Sequence, residues 1–305
     1  MIKFNETFLQ KTLVVWLGAL VCCALWGSAF PCIKIGYALM DISSSDVATQ
    51  IYYAGIRFTL AGVLAIVLGS ITSRTFIVPS AKALPKVAAL SLFQTVLQYL
   101  FFYVGLAHAS GVNASIIEGL NVFVAIFIAG ILFRMEKVTI KKIVGCVIGF
   151  SGVVFITLSG GSVGAISFLG EGFVFFSTIA YALSSVLLKR FSKTENAVML
   201  SGYQFLLGGL FMTIVGRIFG GHFTVVNNES MYMLLYLAFV SAIAYTIWGT
   251  LLKYNPVSKV AVFGFMNPVF GVILSTLLLN ETDAFSLGAI ISLALVCAGI
   301  YICNK

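Results

Sequence analysis

One acidic residue, Glu118, lies inside a long apolar run that begins near Asn113. An ionised carboxylate is costly inside a bilayer, so such a residue faces the protein interior or water and often marks an ion or proton pathway. At about 100° per residue, Asn113, Glu118 and Asn121 share one side of a helix. We therefore predict that these three side chains bind a substrate and that Glu118 could exchange a proton. In the alternative, Glu118 lies near the outer interface, solvated or paired with Arg57 or His108.

Amide and aromatic side chains add to this predicted site. Gln94 and Gln98 are one helical turn apart in the preceding apolar run, where their amides could hydrogen-bond a polar substrate or equally tie helices together. Tyr245 and Trp248 share a helix face further along the chain and could stack on a substrate cation. Aromatic residues near helix ends more often form an interfacial belt. Both residues lie deep in their run, which favours a cavity wall.

Asn267 completes the predicted substrate-binding set. It precedes Pro268 inside another apolar run, and a proline frees a backbone carbonyl and can kink a helix. Interrupted helices often form the binding sites of transporters, although plain helix packing would explain the proline equally well. The predicted set is Gln94, Gln98, Asn113, Glu118, Asn121, Tyr245, Trp248 and Asn267.

The elements that must position these residues are ten long apolar runs. The 305 residues are 60% hydrophobic and 9% charged, with a mean hydropathy of +1.08, whereas a soluble domain is about 25% charged. A spanning helix needs about 20 mostly apolar residues, and the runs lack the period-two alternation of barrel strands. We therefore predict an all-α integral membrane protein. The predicted spans are Leu13–Tyr37, Ile51–Leu68, Val87–Ala107, Asn113–Phe133, Ile143–Leu158, Gly172–Lys189, Val198–Phe219, Met231–Leu252, Val260–Leu279 and Leu287–Cys303.

Basic residues fall mainly on one side of the predicted bundle. If the N-terminus is cytoplasmic, all of the 18 Lys and Arg residues lie on the cytoplasmic side except Lys34, Arg57 and Arg217. This positive-inside bias supports ten spans and predicts that both termini are cytoplasmic. It also explains the pI of about 9.2 through attraction to the anionic inner leaflet. We expect the lipid bilayer of the cell membrane as a partner, and no nucleic acid.

The second half of the chain resembles the first. Trp26–Phe30 is followed by Lys34, and Tyr181–Ser185 is followed by Lys189 at the same spacing. Five spans in each half is an odd number, so the halves would cross the membrane in opposite directions, as the inverted repeats of secondary transporters do. Apolar helices can also resemble one another through composition alone. The predicted division is a first repeat 1–158, a linker 159–169 and a second repeat 170–305.

Several motifs are spread over the whole chain: Trp26–Phe30 with Lys34, Arg57–Phe58, Gly172 through Ala182–Ser185 with Lys189–Arg190, Tyr245 and Trp248 with Leu251–Pro256, and Gly264–Gly271 through Glu281. Together they resemble the EamA-type members of the drug/metabolite transporter superfamily. The resemblance implies ten helices in two inverted five-helix repeats and a central cavity lined by the third, fourth, eighth and ninth helices. It also implies transport of small metabolites, often export of amino acids. The chain departs from the family pattern at Asn121, where many members have proline, and at Glu118.

Catalytic and metal-binding patterns are weak in this sequence. The six cysteines lack zinc-ligand spacing, and His108 and His222 are far apart. A Gly-x-Ser-x-Gly match at Ser162 lies in the predicted linker, whereas a nucleophile elbow lies between a strand and a helix. We therefore predict no enzyme activity and no cofactor.

The predicted function is secondary transport of a small polar metabolite, an amino acid or related compound, by alternating access. Export is favoured, and protons are a candidate coupling ion. The alternatives are a channel or uncoupled facilitator, and a membrane scaffold that transports nothing. Gly145 and Gly149 form a GxxxG face, which could join the two halves or two protomers, so both a monomer and a homodimer are open.

Overall fold

The computed structural model describes residues 6–43, 45–109, 111–159, 167–279 and 287–305, and its regular structure within these ranges is helical. Six helices there are long and apolar enough to cross a membrane, which makes the chain a multi-pass membrane protein. The count of ten spans remains a prediction. The six are Thr12–Leu39, Val47–Ser73, Leu84–Leu106, Phe168–Phe191, Ala197–Ile218 and Asn228–Tyr254. Shorter apolar helices are Ile117–Leu132, Val257–Gly271 and Ile290–Asn304.

The helices are numbered here in chain order. The first half contains α1 (Glu6–Gln10), α2 (Thr12–Leu39), α3 (Val47–Ser73), α4 (Leu84–Leu90), α5 (Gln98–Leu106), α6 (Gly111–Gly119), α7 (Asn121–Phe127) and α8 (Ile140–Ser159). The second half contains α9 (Phe173–Phe191), α10 (Ala197–Ile218), α11 (Asn228–Tyr254), α12 (Val257–Ala261), α13 (Met266–Leu279) and α14 (Leu287–Asn304). Ser162 and Glu281, which the sequence analysis named, lie outside the described residues.

Several helical turns depart from the α form. A π-helical segment, Ser91–Leu97, joins α4 to α5, and another, Ile128–Leu132, extends α7. A 3₁₀ turn, Val262–Phe265, joins α12 to α13. Such interruptions occur often at functional sites. They place Gln94 and Gly264 in irregular turns instead of regular helix.

Pro268 lies in the first turn of α13, which begins at Met266. A proline is well tolerated there, because the first amide groups of a helix have no acceptor within it. The interruption that the sequence predicted in this region is therefore the 3₁₀ turn that precedes α13, and Pro268 marks its end.

Glycine contacts bring α3 and α10 together in the most extensive helix pair of the described chain. A β-carbon on Gly62 would lie 2.7 Å from the carbonyl oxygen of Gly202, and one on Gly216 would lie 2.6 Å from the amide nitrogen of Tyr52. These distances leave room for hydrogen atoms only, so the two backbones are in contact. Small residues allow such close approach between membrane helices.

A second glycine contact joins α8 to α14. A β-carbon on Gly145 would lie 2.6 Å from the amide nitrogen of Cys303, and one on Gly299 would lie 2.6 Å from the carbonyl oxygen of Gly145. The Ser292 hydroxyl also donates to the carbonyl oxygen of Gly152, at 2.7 Å. The GxxxG face therefore joins the first half of the chain to the second, which is one of the two roles that the sequence left open.

Candidate functional site

Aromatic rings connect the two halves of the chain at the centre of the helix bundle. The Trp26 ring of α2 packs edge-to-face against Tyr245 and Trp248 of α11, with centroid separations of 5.1 and 5.0 Å. Tyr245 and Trp248 are 4% and 3% exposed. Both rings thus lie inside the bundle, as their deep position in the apolar run indicated. Edge-to-face packing fixes the orientation of each ring against its neighbours.

Further rings from α3, α5 and α10 reach the same place. The hydroxyl groups of Tyr99 and Tyr245 lie 3.3 Å apart. Phe205 packs edge-to-face on Tyr245 at 4.7 Å and stacks on Phe58 at 5.2 Å. The predicted site residue Gln98 precedes Tyr99 and interacts with the Tyr245 side chain. We name as the aromatic cluster Trp26, Phe58, Tyr99, Phe205, Tyr245 and Trp248.

Arg57 of α3 is buried beside the aromatic cluster, with 4% of its surface exposed. The centre of its guanidinium lies 4.4 Å from the Phe58 ring centroid and 6.0 Å from that of Tyr99. A cation over an aromatic face is attracted by the ring quadrupole. Four tyrosine hydroxyl groups lie within electrostatic range of the guanidinium. We name these tyrosines the phenol cage: Tyr37, Tyr53, Tyr99 and Tyr103.

Arg57 forms no ion pair with any described residue, and its Nε is buried without a hydrogen-bond partner there. Arg57 and Glu118, which the sequence suggested as alternative partners, do not form an ion pair in the structure. Glu118 is half-buried on α6 and likewise has no ion pair within the described ranges. Among the residues that the structure describes, the Arg57 guanidinium therefore has no carboxylate partner.

Several polar atoms around Arg57 and the aromatic cluster are buried without a hydrogen-bond partner in the described part of the chain. They are the indole nitrogen of Trp26, the hydroxyl group of Tyr53, and Oε1 of Gln98. About nine in ten buried polar groups are paired in folded proteins. Their concentration here indicates groups that a bound molecule or water can satisfy.

Asn113 takes part in a polar network that is separate from the aromatic cluster. Its Nδ2 donates to Oε1 of Glu171 at 2.6 Å, and the Ser167 amide donates to Oε2 of the same carboxylate at 2.7 Å. Glu171 is 5% exposed. This network ties the start of α6 to the turn before α9, across the two halves. Substrate binding by Asn113 remains a prediction, and the contact itself is structural.

The polar face that includes Gln94 is partly used to join helices. Thr95 donates its hydroxyl to Oε1 of Gln204 at 2.6 Å, and Ser91 donates to the Gln204 carbonyl oxygen at 2.8 Å. These bonds hold the π-helical segment against α10. Gln94 itself is 1% exposed. The alternative of helix-to-helix hydrogen bonds thus applies to the neighbours of Gln94.

Asn121 and Asn267 both flank the 3₁₀ turn between α12 and α13. Oδ1 of Asn121 lies 3.7 Å from the position that a β-carbon on Gly264 would take. Oδ1 of Asn267 is buried without a hydrogen-bond partner in the ranges described. The two asparagines form a second polar region, separate in its contacts from the aromatic cluster.

Sequence reasoning missed Arg57, Trp26 and Tyr99 as members of the candidate site. The available signal was the charge of Arg57 within an apolar run, which the sequence suggested only as an alternative partner of Glu118. Tyr99 follows Gln98, so it lies on another face of the helix, and only the tertiary fold turns its hydroxyl towards α11. Of the predicted set, the structure brings together Gln98, Tyr245 and Trp248.

Curated relatives cover almost the whole chain. An uncharacterized transporter of Archaeoglobus fulgidus is 28% identical over 94% of this chain and 97% of its own. The uncharacterized transporter YvbV of Bacillus subtilis is 25% identical over 92% of this chain and 88% of its own. A chloroplastic WAT1-related protein of Arabidopsis thaliana is 23% identical over 97% of this chain and 70% of its own.

The fold is also similar to that of a protein of known crystal structure. The two share 16% identity with a TM-score of 0.77, over 94% of this chain and 95% of the other. That likeness concerns the fold alone. The EamA-like transporter family matches residues 13–158 and 168–305, which is nearly the full chain in two consecutive segments. The protein therefore belongs to the EamA-like transporter family.

Proposed function

We propose that this membrane transporter is a secondary transporter that exports a small polar metabolite, an amino acid or related compound, by alternating access. The observation that carries the proposal is the aromatic cluster, in which Trp26 and Tyr99 of the first half meet Tyr245 and Trp248 of the second. Unpaired polar atoms surround these rings. A solute bound there contacts both halves at once, so a relative movement of the halves changes its access to the two sides of the membrane.

Contacts between helices support two inverted repeats. Helix α2 of the first half packs against α11 and α13 of the second half. In the same way, α9 of the second half packs against α5 and α7 of the first half. The α3–α10 and α8–α14 pairs join corresponding helices of the two halves. Each contact thus has a counterpart in which the halves exchange roles, as a two-fold axis in the membrane plane requires. We propose residues 1–158 and 170–305 as these repeats, with ten spans and both termini cytoplasmic.

The test of this function is solute counterflow in proteoliposomes. Vesicles loaded with an unlabelled amino acid are diluted into the same labelled amino acid, and transient accumulation is followed across the twenty common amino acids. Carrier activity predicts accumulation that saturates with concentration for one or more of them. Flux that rises linearly and never exceeds equilibrium would indicate a channel, and no flux with any solute would contradict transport.

We expect Trp26→Leu to raise the half-saturation concentration of counterflow about tenfold, because the ring that contacts both Tyr245 and Trp248 is lost. Tyr232→Leu is the matched control, since Tyr232 is 69% exposed on the same helix as Tyr245. The two variants are compared at equal amounts of monodisperse protein. Equal half-saturation constants in both would remove the aromatic cluster from the binding site.

Proton coupling through Glu118 makes a separate prediction. If Glu118 carries the proton, Glu118→Gln abolishes the stimulation of net flux by a pH gradient but leaves counterflow intact, because exchange needs no net proton movement. Glu229→Gln is the control, since Glu229 is an exposed acid at the start of α11. A pH-gradient stimulation that persists in Glu118→Gln would exclude this residue as the proton carrier.

A further inference from the structure

Arg57 is a permanent charge enclosed by the fold. It lies about 15 Å along α3 from Val47, at a rise of 1.5 Å per residue, and is 4% exposed. An arginine side chain cannot lose its proton under physiological conditions. A buried charge is stable only when an opposite charge or several hydrogen bonds compensate for lost water. The compensating group must therefore come either from the protein itself or from a bound solute.

The protein side chains around Arg57 attract its charge but do not neutralise it. The phenol cage supplies hydroxyl groups and no carboxylate, and the Phe58 face supplies only a quadrupole. Glu171 is committed to Asn113 and Ser167. Glu136 and Glu195 are paired with lysines. The described residues thus contain no carboxylate bound to this guanidinium.

The guanidinium also lies at the candidate site. Tyr99 contacts it through the ring and meets the Tyr245 hydroxyl at 3.3 Å, and Tyr245 packs against Trp26. A continuous series of contacts therefore leads from Arg57 through Tyr99 to Tyr245, which belongs to α11 of the other half. Its unpaired Nε adds a directed hydrogen-bond donor to the charge.

We propose that Arg57 binds the carboxylate group of the transported solute, and that the substrates of this protein are small carboxylates with an apolar or aromatic remainder. This inference rests on the proposed transport function. A planar guanidinium binds a carboxylate through two parallel hydrogen bonds, which also orient the solute. The remainder of the solute then lies against the aromatic cluster. The bound carboxylate places a negative charge beside the guanidinium, which has no carboxylate partner among the described residues.

The experiment compares acids with their amides, which match in size and differ in charge. Purified protein receives leucine or leucinamide, phenylalanine or phenylalaninamide, and benzoate or benzamide, and both counterflow and the melting midpoint are measured. We expect at least one acid to be transported and to raise the midpoint, and its amide to bind at least tenfold more weakly. Arg57→Gln removes this preference, whereas Arg57→Lys retains part of it. Arg217→Gln, at an exposed arginine near the end of α10, leaves it unchanged.

The outcomes separate the two proposals. Transport of amides as well as acids by the wild-type protein overturns the carboxylate inference and leaves the transporter intact. If folded Arg57→Gln still prefers acids to amides, the carboxylate inference is likewise overturned and the proposed transport function stands. Absence of counterflow for every solute overturns the proposed function and, with it, the inference. If Arg57→Gln does not fold, the wild-type comparison and Arg57→Lys decide.

The stability of Arg57→Gln without solute provides an independent measurement. A residue kept for substrate binding leaves an uncompensated charge in the empty protein, so its removal should leave the melting midpoint unchanged or raise it by a few degrees. A structural role predicts the opposite, a midpoint lowered by about 5 °C or more. That result, together with normal acid preference in Arg57→Lys, would assign Arg57 to the framework.

Discussion

Replacing Gly62 with alanine is expected to destabilise the protein strongly, although only one methyl group is added. The new β-carbon would overlap the backbone of α10, lying 2.7 Å from the Gly202 carbonyl oxygen and 2.8 Å from the Leu206 α-carbon. Backbone atoms cannot rotate away as a side chain can, so α3 and α10 must separate. Overpacking costs about 1–3 kcal/mol at well-packed positions, and the upper part of that range corresponds to a melting midpoint about 3–5 °C lower for a chain of this size.

Gly264→Ala is the matched control for this substitution. Its β-carbon would lie 3.6 Å from a methyl carbon of Val122 and 3.7 Å from Oδ1 of Asn121, which are ordinary contact distances. Both variants make the same chemical change, at Gly62 in α3 and at Gly264 in the 3₁₀ turn before α13. We expect Gly264→Ala to keep the wild-type midpoint in detergent, as measured by size-exclusion chromatography after heating. Equal midpoints for the two variants would contradict the close approach of α3 and α10.

Replacing Glu136 with alanine is expected to loosen a contact between the halves on the predicted cytoplasmic side. The carboxylate of Glu136 accepts hydrogen bonds from the Ser258 amide at 3.0 Å, the Ser258 hydroxyl at 2.6 Å and the Lys142 ammonium at 3.0 Å. The Glu136 side chain is 8% exposed and that of Lys142 is 17% exposed. Breaking a fully buried pair costs about 3–5 kcal/mol, so we expect about 2 kcal/mol at this partly exposed position.

Hydrogen–deuterium exchange measures this effect directly. A loss of about 2 kcal/mol raises local opening about thirtyfold, so the amides of α12 should exchange faster by about that factor in Glu136→Ala. Glu195→Ala is the control, because it breaks the 2.6 Å pair with Lys86 on the same side of the bundle without touching Ser258. Unchanged exchange in α12 would show that Glu136 does not hold the two halves together.

The helices agree with the apolar runs because hydropathy is a local property. Each predicted span overlaps a helix or a continuous series of helical segments among the described residues. The irregular turns were less accessible to sequence reasoning. The π-helical segment Ser91–Leu97 carries no glycine or proline, and its shape is accompanied by contacts that Ser91 and Thr95 make with Gln204 of another helix. Only Pro268 marked an irregular turn in advance.

The candidate site was predictable in part for a similar reason. Tyr245 and Trp248 are large, deep and three residues apart, so their common face follows from helix geometry alone. The role of Asn113 could not be predicted, because its partner Glu171 lies 58 residues away in the other half. The same holds for Arg57. A sequence shows that a charge lies within an apolar run, but whether any described residue pairs with it depends on how every neighbouring helix is rotated.

The sequence alone determined that the chain is a helical membrane protein of a transporter family, because the run lengths, the rarity of charge and the motifs are properties of neighbouring residues. The tertiary structure decided which polar groups are already satisfied and which are available. In the structure Glu171 accepts a hydrogen bond from Asn113 and Glu136 accepts one from Ser258, whereas Arg57 lies beside the phenol cage. The physical reason is that pairing energy depends on distances across the bundle, between residues that packing, and not chain order, brings together.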